Sequence, residues 1–156
     1  MTVCFTGHRK LEPHNIVQTA SLIEEKISSL AMSGTAESID FRAGGAVGFD
    51  TLAALCVLTA KEKFPNIKLH LFLPCKDQTR GWSDGDIEKY NYILSQSDSV
   101  RYVSETRTPG CMLKRDRALV DGADLCIAYC HKTTGGTAYT VSYAKERGVA
   151  VENIYK

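Results

Sequence analysis

Six short runs of apolar and β-branched residues punctuate the chain, and segments with helical spacing separate them. The runs cover residues 2–6, 38–43, 67–73, 99–104, 124–130 and 149–154. Several are apolar almost without interruption, the pattern of strands buried on both faces. Between the first two runs, Ile16, Ala20, Ile23, Ile27 and Leu30 recur at intervals of three and four. Leu52, Leu55, Cys56 and Thr59 do the same within 49–63. Further helices are expected over 86–97, with Ile87, Tyr90, Ile93 and Leu94 on one face, over 112–121, and over 137–147, closed by Gly148. Regular alternation of strand and helix leaves few architectures, because parallel strands need crossovers and those crossovers share one hand. The expectation is an α/β three-layer sandwich: a mostly parallel sheet of about six strands with helices on both faces.

The 156 residues suit one folding unit, so a single domain over 1–156 is expected. Nineteen Lys and Arg stand against eighteen Asp and Glu, a net charge of +1. That balance argues against a strongly cationic surface, and nucleic acid is not expected as a partner. No apolar run approaches the ~20 residues that span a bilayer, so no membrane is expected. The opening residues MTVCFTGHRK lack the apolar stretch of a secretory leader. Cys4, Cys56, Cys75, Cys111, Cys126 and Cys130 form no CxxC pair, and most sit inside apolar runs. They read as reduced thiols of a cytoplasmic protein, with no metal site.

In a parallel sheet, the segments that follow the strands gather at one edge, where open α/β sheets bind ligands. Here those segments hold most of the glycines and polar groups. Thr6-Gly7-His8-Arg9 follows the first run, and Gly44-Gly45-Ala46-Val47-Gly48-Phe49-Asp50 the second. The third leads into an irregular stretch, 74–85, that holds Gln78, Arg80 and the only tryptophan, Trp82. Glu105 to Gly110 and then Lys114-Arg115-Asp116-Arg117 follow the fourth, and His131 to Thr137 the fifth. AGGAVGFD and TTGGT each open a helix. Either loop is a phosphate cradle, using free amides and close backbone approach, or a tight turn with a helix cap. Arg9 and Arg115 suit phosphate recognition, with Asp116 offsetting the cations at its helix start. His8 and Asp50 are the acid/base candidates. Trp82 either stacks on a ligand or anchors its own loop.

Read in order, CFTGHR, AGGAVGFDTLAA, LHLFLPC, the Gln78-to-Trp82 loop, CMLKRDRALVDGADLCIA and TTGGT resemble the YpsA-like family of the SLOG superfamily, over nearly the whole chain. The resemblance implies a Rossmann-like fold with a nucleotide or nucleotide-derived ligand at the carboxyl edge. It assigns ligand contacts to Thr6, Gly7, His8, Arg9, Gly44, Gly45, Gly48, Asp50, Arg115, Gly135, Gly136 and Thr137, beside Trp82 from the loop reading. NAD, ADP-ribose or a nucleoside phosphate is the expected ligand, and no other cofactor is implied. The expected role is that of a sensor or regulator, and a homo-oligomer is expected. The superfamily also contains LOG phosphoribohydrolases, with PGGxGTxxE, and DprA/Smf proteins. Thr140 stands where the LOG motif has its glutamate, which leaves Asp50 or Glu105 as substitutes. The alternative role is therefore a LOG-like hydrolase of an N-glycosidic or phosphoester bond. A single-stranded DNA accessory role, by analogy with DprA, is opposed by the charge and by the lack of interleaved basic and aromatic residues.

Overall fold

In the computed structural model, which describes residues 1–33 and 38–156, the first apolar run becomes a central strand. β1 (Thr2–Gly7) buries four of its residues and lies between β2 (Ile39–Ala43) and β5 (Leu125–Tyr129). β3 (Ile67–Leu73) and β4 (Ser99–Tyr102) extend the sheet beyond β2, and β6 (Ala150–Asn153) extends it beyond β5. Among the described residues the order is β4-β3-β2-β1-β5-β6, and every pairing is parallel. The expected α/β sandwich is the observed fold.

Among the described residues five α-helices make the crossovers: α1 (Ile16–Met32), α2 (Phe49–Lys61), α3 (Asp84–Gln96), α4 (Cys111–Val120) and α5 (Gly136–Glu146). α1 packs on α2 and α2 on α3, whereas α4 packs on α5. This division follows from topology. The chain steps outward from β1 to β4, then returns to the other side of β1 and steps out again. With crossovers of one hand, opposite directions of travel put helices on opposite faces. The reversal leaves a crevice between the carboxyl ends of β1 and β5, the switch point where such sheets bind ligands.

Side chains of each strand alternate between two cores. Val3, Phe5, Phe41, Leu69, Leu71 and Ile127 face the larger one, with Ile23 and Ile27 of α1 and Val57 of α2. Cys4, Phe72 and Cys126 face the smaller one, with Leu119, Val120 and Ala144. α4 and α5 are too few to cover their whole face, so its β3–β4 side carries Lys68 and Arg101 exposed and His70 half-buried.

Most boundaries lie within one residue of the expected ones, and three differ by two, each for a local reason. α3 starts at Asp84, two residues early, because the Ser83 hydroxyl accepts the Asp86 amide at 3.2 Å. β4 stops at Tyr102, because its partner β3 ends at Leu73. α2 stops at Lys61, where the Glu62 and Lys63 amides turn to carbonyls only three residues back, Thr59 at 3.2 Å and Ala60 at 3.0 Å. Among the described residues no helix is long and apolar enough to cross a membrane.

Candidate functional site

A cavity of about 660 Å³ opens at the crevice between β1 and β5. The end of β1 contributes Thr6, Gly7, His8 and Arg9 to its wall. Arg115 and Asp116 reach it from α4, Asp50 from α2, and Gly135, Gly136 and Thr137 from the start of α5. Its polar lining therefore comes from the segments that follow β1, β2, β4 and β5, while the segment 74–85 after β3 supplies none of it.

The two glycine-rich loops are built differently. At the α5 end, Gly135 takes the N-cap position with φ +98°, and no side chain caps the helix. The first-turn amides of an α-helix have no acceptor within the helix, so this end carries unclaimed donors and the positive pole of the dipole. A Cβ at Gly135 would meet nothing, because the loop faces open space.

At the α2 end the groups are already spoken for. The Phe49 amide donates to the His8 carbonyl at 3.2 Å, and the Ala46 amide donates to Asp50 Oδ2 at 3.3 Å. Gly48, at φ +82°, lets its backbone cross that of Arg9, and a Cβ there would overlap the Arg9 carbonyl. Gly44 lies beneath the Arg115 guanidinium, which donates to its carbonyl. Gly45 abuts Leu73. Loop 44–48 is the packed floor of the site.

Charge inside the site is arranged around Arg115, which is only 5% exposed. Its Nε donates to Asp116 Oδ1 at 2.8 Å. Burial pushes the Asp50 carboxyl up to about 6, against the pull of Arg115. Burial also raises the carboxyl of Asp116, which lies against the Thr140 hydroxyl. Both groups take up protons more readily than ordinary carboxylates, a property that suits proton transfer. His8 is shifted the other way, downward, by burial and by the nearby His131 and Lys132. Its Nε2 accepts the His131 amide at 3.0 Å, which assigns a neutral ring with the proton on Nδ1. The His8 and His131 rings meet edge to face at 4.4 Å.

Of the residues singled out in the sequence, Thr6, Gly7, His8, Arg9, Asp50, Arg115, Gly135, Gly136 and Thr137 come together around the cavity. Gly44, Gly45 and Gly48 form the layer below it. Trp82 lies outside, with its ring edge-on to Tyr90 at 5.6 Å, as an anchor of its own loop. Glu105 is also remote, paired with Lys76 at 2.9 Å. Sequence reasoning missed Asp116 as a cavity carboxylate. Its position one residue after Arg115 suggested only a local charge partner, and nothing along the chain shows it meeting Thr140 of the next helix.

A family model described as the YspA SLOG family (YpsA) matches residues 3–154. The chain belongs to this family. Curated proteins similar to it include UPF0398 proteins of Bacillus thuringiensis (strain Al Hakam) and Bacillus cereus (strain AH187), each 29% identical over 114 residues. Each match covers 71% of this chain and 61% of the relative, so the chain aligns with about three fifths of those proteins. Among solved structures, DNA processing protein A of Helicobacter pylori shares the fold with TM-score 0.67 at 19% identity, over 97% of this chain and 63% of that one. DNA processing protein A of Streptococcus pneumoniae gives TM-score 0.71 at 20% identity, over 96% and 48%.

One expectation is corrected by these likenesses. The +1 charge led to nucleic acid being set aside as a partner. The Helicobacter protein with the same fold is described by its single-stranded DNA binding mode, so the fold does not support that exclusion. Net charge cannot carry that exclusion, because it sums over the whole surface, whereas a strand is held by local charge.

Proposed function

We propose that the cavity binds a nucleotide or nucleotide-derived ligand and that the protein acts as a cytoplasmic sensor or regulator, self-associating in that role. One observation carries this reading: the uncapped start of α5 shares the cavity with Arg9, Lys10 and Lys132. Phosphate suits that combination, since helix amides and cations both recognise its oxygens. The volume accommodates a nucleoside phosphate and part of a second moiety, in keeping with AMP, ADP-ribose or NAD.

Titration calorimetry with AMP, ADP-ribose and NAD tests the reading. At least one should bind, and should raise the melting temperature in proportion to its concentration over Kd. Arg9→Ala should weaken that ligand about tenfold while the fold is kept. If none binds the wild type at millimolar concentration, the reading fails.

A second reading, hydrolysis of the bound nucleotide, is favoured by the raised carboxyls of Asp50 and Asp116 beside Arg115. One carboxylate would accept a proton from water as the other carboxyl protonates the leaving group. Release of free base or ribose phosphate, abolished in both Asp50→Asn and Asp116→Asn, is the expected signature. A ligand that binds and is recovered intact leaves binding as the whole function.

A further inference from the structure

α4 has two working faces. Arg115 and Asp116 turn toward the cavity already described. Lys114, Arg117, Ala118 and Asp121 recur at the three-four spacing of a single helical face and turn the other way. There they border a second groove, of about 370 Å³, whose far wall is formed by Arg42, Phe72, Arg101 and Val103 from the sheet beside α4.

Four cations thus meet around one groove, with a single carboxylate. That carboxylate, Asp121, accepts from the Tyr143 hydroxyl at 2.6 Å, lies 3.9 Å from Arg147 and also favours the charge on Arg117, so it offsets the four cations only in part. Two of the cations are held in place by the fold. Arg42 Nη1 donates to the Leu119 and Asp121 carbonyls, at 3.0 and 2.7 Å, and so caps the end of α4. Arg117 Nη1 lies 3.1 Å from the Tyr139 hydroxyl. Among the described residues Arg101 and Lys114 have no ion-pair partner, and both are exposed.

The guanidiniums of Arg42 and Arg101 flank one ring, at 4.9 and 5.5 Å from the centre of Phe72. Like charges gathered this closely repel, and a cation–π contact offsets only part of that. An anion in the groove removes the remainder. Beside it, the Tyr139 and Tyr143 rings stack at 6.2 Å and 12°, tied through their hydroxyls to Arg117 and Asp121 of the groove wall. Cations and aromatics that never interleave along the chain interleave here in space.

We propose that this groove binds a single strand of nucleic acid through its phosphates, with bases resting toward the tyrosine pair. The cations are spread over β2, β4 and α4, two of them half-buried and two, Arg101 and Lys114, exposed. Such an arrangement neutralises a chain of phosphates one by one and gives no enclosed pocket for a lone phosphate. Base readout is not built in, because the Phe72 ring is covered by the two arginines, so binding is independent of sequence. The site lies across α4 from the cavity and does not depend on what the cavity holds.

Fluorescence anisotropy of a labelled oligothymidylate of about 20 nucleotides tests the proposal across a salt series. The wild type should bind at low salt and weaken steeply as salt rises. The double variant Arg101→Gln/Lys114→Gln removes two cations that touch no acidic partner. It should bind about tenfold more weakly at low salt, with a log K versus log salt slope shallower by about 1.4. Arg101→Lys/Lys114→Arg, which keeps both charges, should bind as the wild type does. Arg9→Ala, in the cavity, should leave strand binding unchanged whatever it does to nucleotides. The proposal is overturned if the wild type fails to bind at low salt, or if the Gln double variant keeps both affinity and slope. It is also overturned if Arg9→Ala alone abolishes binding, which would put the strand in the cavity. Displacement of the strand by an acidic peptide at lower concentration would reassign the groove to a protein partner.

Discussion

Two glycine-rich loops open helices at the same sheet edge, and the structure uses them in opposite ways. Loop 44–48 is closed: its amides, carbonyls and glycines serve the contact between the β1 and β2 ends. The loop at Gly135–Gly136 is open, uncapped and exposed. The same residue type therefore answers two demands. In one loop the missing Cβ admits another part of the protein; in the other a Cβ at Gly135 would face open space. Which demand applies is decided by what lies opposite in space, and the loop's own sequence does not say.

The sharpest way to break this contrast is to add a methyl group to each loop. Gly48→Ala sets a Cβ into the Arg9 carbonyl at a φ of +82°. Backbone meets backbone there, so relief requires moving the end of β1. A loss of about 3 kcal/mol or more is expected, seen as a large drop in denaturant midpoint or a failure to fold. A Gly48→Ala protein as stable as the wild type would mean that loop 44–48 is not the packed floor described here.

The sequence made most of the framework legible for a physical reason. Strands buried on both faces leave continuous apolar runs, and amphipathic helices leave a regular period, so all six strands and five helices were placed. The misjudged ends are those set by single contacts, such as the Ser83 cap of α3. Within the site, the cavity-edge residues were legible because parallel topology alone gathers strand ends. What was hidden depended on pairs distant in sequence: Gly48 against Arg9, Asp116 against Thr140. The cationic groove was hidden for the same reason, since Arg42, Arg101, Lys114 and Arg117 come from three separate segments.

A second difference between the loops is titratable. Asp50 belongs to the closed loop's helix, and burial lifts its carboxyl from 3.8 to about 6. The folded protein therefore holds this proton more tightly than the unfolded chain. The resulting stabilisation is fully present below pH 3.8 and is lost as pH rises through 6. Asn cannot ionise, so Asp50→Asn should gain on the wild type between pH 4 and pH 7, by on the order of 2 kcal/mol. Chemical denaturation of both proteins at those two pH values measures it. His8 works in the opposite sense, since its lowered value makes stability fall as pH drops below 6.5. Both proteins carry His8, so its effect cancels in the difference. A gap between the two proteins that does not change with pH would remove Asp50 as a buried proton holder.

The smallest structural effect belongs to the open loop, and there the comparison becomes functional. Gly136 sits in the first turn of α5, and a Cβ on it would lie 3.7 Å from Asp116 Oδ2, an ordinary contact. Gly136→Ala should change stability by no more than about 0.5 kcal/mol, since alanine suits a helical position and nothing has to move. That methyl group projects among the amides expected to receive phosphate. Nucleotide affinity measured by calorimetry should therefore fall about tenfold while the melting temperature stays nearly constant. A variant that loses stability and keeps affinity would reverse the assignment, making the Gly135–Gly136 loop a packing element like loop 44–48. If affinity falls at constant stability, the two loops separate cleanly into floor and receptor.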